Sequence, residues 1–67
     1  MHIKFNGPGL TTEKGARARL AKVDGLLRNS KSFVAVQDGH FYPVAVMHPD
    51  DTWNARHVID HGIYVTN

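Results

Sequence analysis

Residues 33–47 read FVAVQDGHFYPVAVM, two apolar runs facing each other across Asp38-Gly39. An Asp-Gly pair accepts the two positive φ values of a type I′ turn, whose twist matches that of the strands it joins. The stretch predicts a hairpin with arms at 33–36 and 41–47, and the rest of a short chain must pack around it. Pro43 interrupts the second arm. Proline cannot donate to a ladder, so that arm should hold a bulge or lie on a sheet edge.

Working outward, Thr11 or Thr12 is placed to cap a helix, with Glu13 against the positive end of its dipole. Ala16, Leu20, Val23 and Leu27 follow at i, i+4, i+7 and i+11, a single apolar stripe that Asn29-Ser30-Lys31 ends. Before it, residues 2–5 alternate as a strand and stop at Asn6-Gly7-Pro8-Gly9. After the hairpin, Asp50 or Asp51 is placed to cap a second helix with a stripe of Ala55, Val58 and Ile59. His61-Gly62-Ile63 supplies its stop, with glycine at the left-handed position and an apolar residue behind it. The competing reading is a strand alternating through Trp53, Ala55, His57 and Ile59, with a bulged turn at 60–62. Agreement of cap and stop favours the helix. Residues 63–65 then form a last strand.

The expected order is β-α-β-β-α-β, an α+β domain with helices on one face of a mostly antiparallel sheet. A ferredoxin-like arrangement uses this order with short connections; one helix on a β-meander is the alternative. The 67 residues make one domain, 1–67, and a chain this small buries only about 60% of its unfolded surface. A homodimer would cover an edge of such a sheet.

The chain has no cysteine, which excludes disulfides, zinc–thiolate sites and thiol catalysis. No segment approaches the roughly 20 apolar residues of a membrane-spanning helix, and the N-terminus lacks a signal-peptide core. The expectation is a soluble, cytoplasmic protein. A formal net charge of +2 is too small to imply nucleic acid by itself.

Five histidines are the first candidates for chemistry. His57 and His61 share a helix face at a metal-binding spacing, but no third ligand is fixed, and a helix C-terminus accounts for both. His40, Tyr42 and His48 fall on one face of the second arm by even spacing, as a metal-independent nuclease would need for its base and acid. Asn6-Gly7-Pro8-Gly9 matches neither phosphate-loop nor dinucleotide spacing, so no cofactor is implied. The stretch IKFNGPGLTTEKGARARL, with DGHFYPVAV, superficially resembles the opening and aromatic third strand of an RNA recognition motif. Lys4 stands where the first stacking aromatic belongs and Pro43 interrupts the second, so the resemblance does not establish membership.

Opposite the first helix's stripe lie Ala18, Ala21 and Gly25, a flat ridge with Lys14, Arg17 and Arg28 along one side and Lys22 on the other. Such a ridge suits an acidic protein surface, a helix or a phosphate backbone. Glu13 and Asp24 dilute its charge. Trp53, off the second helix's stripe, is either a cap on a thin core, the preferred reading, or an interface anchor.

The expected function is therefore a small non-enzymatic binding protein, an inhibitor or regulator that docks on a protein partner through Lys14, Arg17, Arg28 and Trp53. Phage and mobile-element accessory proteins offer an analogy of size and style. The alternative is a nucleic-acid-binding domain using the same cations, with Phe41, Tyr42 and Tyr64 as stacking surfaces. A small metal-independent nuclease is third.

Overall fold

The computed structural model describes Phe5 and residues 7–66. Asp38 and Gly39 adopt φ of 53° and 77°, the two left-handed residues of the predicted turn. They join β1 (Lys31–Gln37) to β2 (His40–Val46), antiparallel from Gln37↔His40 to Lys31↔Val46. A third strand, β3 (Tyr64–Thr66), runs parallel to β2 on its other side, with Val44 opposite Tyr64. Among the described residues the sheet is three-stranded in the order β1-β2-β3.

The fold is α+β with a mixed sheet. The ferredoxin-like order is not confirmed, because β3 occupies the place beside β2 that this order gives to the N-terminal strand. The strand expected at 2–5 lies, apart from Phe5, outside the described residues.

Pro43 sits in a central strand, neither bulged nor on an edge. Across a two-residue turn, hydrogen-bonded and non-bonded pairs alternate from Gln37↔His40, which makes Val34↔Pro43 a non-bonded pair. The backbone at 41, 43 and 45 therefore faces away from β1. Phe41 uses that side to exchange two 2.8 Å hydrogen bonds with Leu10, and the β3 ladder begins at Val44. Pro43 falls between those two pairings, where its missing N–H breaks no bond to β1.

Helix α1 (Glu13–Lys22) starts at Thr12, whose side-chain oxygen accepts the Gly15 N–H at 3.0 Å. It stops earlier than its stripe predicts. Asp24 and Gly25 are poor helix formers, and the chain tightens into a 3₁₀ turn, Asp24–Leu26, that still delivers Leu27 to the core. The second helical segment is likewise composite, a 3₁₀ turn Pro49–Asn54 running into α2 (Ala55–Asp60). Its cap is His48 rather than Asp50 or Asp51: the His48 Nδ1 accepts the Asp50 N–H at 3.0 Å, with Pro49 at the first position. The stop is the predicted one. Gly62 has φ 82° and its N–H reaches the Ile59 carbonyl, while Ile63 N–H reaches that of Val58. This is the Schellman pairing, closed by contact between Val58 and Ile63 in the core.

Alternate β2 side chains serve opposite faces. Ala45, with Met47 just past the strand's end, joins Val23, Leu27, Val58 and Ile63 in the core beneath the helices. Tyr42 and Val44 face the other way, where Phe5 stacks on Tyr42 at 4.2 Å and meets Tyr64 edge-on at 5.2 Å. Ile59, expected in the core, is exposed. Among the described residues no helix is long and apolar enough to cross a membrane.

Candidate docking surface

Asp51 and Asn54, three positions apart, match the 3.0-residue period of the 3₁₀ turn and are both buried. Asp51 Oδ2 accepts the Ser30 hydroxyl at 2.6 Å and the Asn29 N–H at 2.8 Å. The same Ser30 oxygen accepts the His48 N–H at 2.9 Å. The Ser30 hydroxyl, and then the Asn29 donors, hold the Asp51 carboxyl below its ordinary value against the opposing effect of burial. Asn54 Nδ2 donates to the Leu26 carbonyl at 2.8 Å, and its Oδ1 is buried without a hydrogen-bond partner. These contacts tie the 3₁₀ turn to the chain between α1 and β1.

The two tied segments form the sides of a cleft of about 460 Å³, lined by Arg28, Asn29, Asp50, Asp51, Trp53 and Asn54. Trp53 is one position off the buried line and is 78% exposed. That corrects the expectation of a core cap: the inward positions of the 3₁₀ turn are taken by Asp51 and Asn54.

The four expected docking residues are divided. Arg28 and Trp53 line this cleft together. Arg17 pairs with Glu13 at 3.2 Å and lines a separate groove with Leu20, Ser32, Phe33 and Val34. Lys14 is exposed on α1. The flat ridge survives only in part, with Ala18 and Ala21 exposed on α1 and Gly25 beyond its end.

The expected stacking residues do not form one platform. Phe41 and Tyr42 are consecutive in β2 and face opposite sides. Tyr42 is 5% exposed, and its ring is occupied by Phe5 and Tyr64. His40 and His48 stand at opposite ends of β2, roughly 25 Å apart at about 3.3 Å per extended residue. His40 Nδ1 donates to the Asp38 carbonyl and His48 caps the 3₁₀ turn, so they cannot share a scissile phosphate. His61 Nδ1 donates to the His57 carbonyl at 2.8 Å. Among the described residues no group of three or more histidines and carboxylates is placed to hold a metal ion.

Sequence reasoning missed Asn54 and Arg19 and read Asp51 only as a possible helix cap. Arg19 packs so close to Gly62 that a Cβ there would stand 2.5 Å from its Nη1. Only the cap-like spelling of residues 50–54 hinted at Asp51, and its bonds lead across the fold instead. No protein-family model, curated protein or solved structure matches this chain.

Proposed function

We propose that the chain is a small non-enzymatic binding protein that docks on a protein partner, as an inhibitor or regulator, through the Trp53–Arg28 cleft. Trp53 carries the reading. A tryptophan left 78% exposed in a chain with so small a core contributes nothing comparable to folding. Its burial on a partner is worth roughly 4 kcal/mol from apolar area. Tryptophan and arginine are also the side chains most often found as interface anchors.

The cleft's charge favours a protein over a phosphate backbone. Arg28 shares it with Asp50 and Asp51, and those carboxylates oppose a polyanion. Arg17 is partly neutralised by Glu13. A floor tied by Asp51 and Asn54 keeps the walls in place before binding, which lowers the ordering cost of association.

The test is parallel affinity capture from a nuclease-treated lysate, using the wild-type chain, Trp53→Ala and Arg28→Ala. A protein retained by the wild type and lost with Trp53→Ala supports the reading. A bound species that disappears on nuclease treatment overturns it in favour of nucleic acid. So does a partner held equally by all three chains, which would place docking elsewhere.

A further inference from the structure

We infer that β1 pairs edge to edge with β1 of a second copy of this chain, antiparallel, with the twofold axis through Val34. This surface is separate from the Trp53 cleft and does not depend on it.

In β1, residues 31, 33, 35 and 37 direct their backbone groups to β2, so Ser32, Val34 and Val36 direct theirs outward. No described strand pairs with that side, and the strand is exposed at Lys31–Phe33 and again at Val36 and Gln37. Sheet edges are normally blunted by proline, an interior lysine, a bulge or a covering segment. The interior of KSFVAVQ carries no proline, lysine or bulge. Among the described residues, two of the four exposed large apolar side chains, Phe33 at 39% and Val36 at 63%, belong to this one strand.

The strand is complementary to itself. A twofold at Val34 pairs Val34 with Val34 and Ser32 with Val36 of the second copy, all outward-facing residues, so every outward N–H meets a carbonyl. The intervening pairs are Phe33 with Ala35 and Lys31 with Gln37. Phe33 lies opposite Ala35, Val36 opposite Ser32 and Val34 opposite its own copy, and within the paired strands no like charges face each other. A net charge of only +2 per chain puts little repulsion between copies.

Sedimentation equilibrium on the wild-type chain should show mass rising with concentration from 7.5 kDa toward twice that value. Val36→Pro removes one outward N–H from each copy and leaves the bonds to β2 intact, so it should weaken association by about tenfold or more. Register is read independently with single cysteines. A hydrogen-bonded antiparallel pair spaces its Cα atoms by about 5.5 Å, within disulfide reach. Under mild oxidation Val34→Cys should cross-link to itself, and a mixture of Ser32→Cys and Val36→Cys should cross-link as the mixed dimer. Ser32→Cys alone should not, because its two copies would stand about 14 Å apart. A wild-type chain that stays monomeric at millimolar concentration overturns the inference and leaves the edge to a strand of a different protein. Cross-linking that is equal for all cysteine variants overturns the register.

Discussion

Asp51 and Ser30, 21 residues apart in sequence, are joined by a 2.6 Å hydrogen bond from the serine hydroxyl to the carboxylate. The serine oxygen in turn receives the His48 N–H. One small side chain thus closes the junction between the start of β1, the end of β2 and the 3₁₀ turn that presents Trp53.

Ser30→Ala should cost about 1–3 kcal/mol, because it strips a donor from a buried carboxylate and an acceptor from a backbone N–H at once. The acid limb of stability tests the same junction. Asp51 has its folded pKa lowered, chiefly by the Ser30 hydroxyl, from an ordinary value of 3.8. Its contribution is therefore fully present above 3.8 and is lost as pH falls through the lower folded value. Asp51→Asn should be less stable than wild type at neutral pH, with the gap closing below that window. Urea denaturation from pH 7 downward checks this, and a gap independent of pH would exclude a role for the charge.

The physical range of each signal governs how much of the molecule is legible in its sequence. The Asp38-Gly39 turn and the Gly62 stop depend on a few adjacent residues, and both stand where the sequence puts them. Pro43 is a local signal too, but its meaning depends on which partner lies beside β2, and that is decided by the Leu10 bridge and by β3. Residues 50–51 read as a helix cap, yet Asp51 finds better donors more than 20 residues away, and His48 takes the cap. Trp53 is exposed because the inward positions of the turn are held by Asp51 and Asn54. Local grammar could not show the cleft, since both of its sides are brought together by contacts distant in sequence.

The His48 cap makes its own prediction. Its backbone is extended, with φ −74° and ψ 146° as an N-cap requires. Its acceptor is the imidazole Nδ1, not a carboxylate or hydroxyl. His48→Ala should lose about 1 kcal/mol, whereas His48→Asn or His48→Asp should recover most of it. Equal losses in all three by urea denaturation would mean that the ring is needed for packing instead.

Gly9 is constrained twice. Its φ is +66°, and a Cβ there would stand 2.7 Å from Cζ of Tyr42. Gly39, with φ +77°, has nothing within 4 Å of its Cβ position. Gly39→Ala should therefore cost only the left-handed strain, about 1–2 kcal/mol. Gly9→Ala should cost more, because the Tyr42 ring must also move off Phe5. Thermal unfolding of the two variants isolates the ring contact as their difference; equal losses would remove the N-terminal loop from any part in positioning that cluster.

Trp53→Ala separates folding from docking. If the indole served the core, its loss would cost about 3–5 kcal/mol, in the range of aromatic-to-alanine changes. At 78% exposure the expected change is within about 0.5 kcal/mol. Met47→Ala, at a core position only 6% exposed, should cost about 2–5 kcal/mol in the same experiment and calibrates it. A stable Trp53→Ala chain then reports on docking with no contribution from unfolding. A loss as large as that of Met47→Ala would return the tryptophan to the core and leave Arg28 alone on the cleft wall.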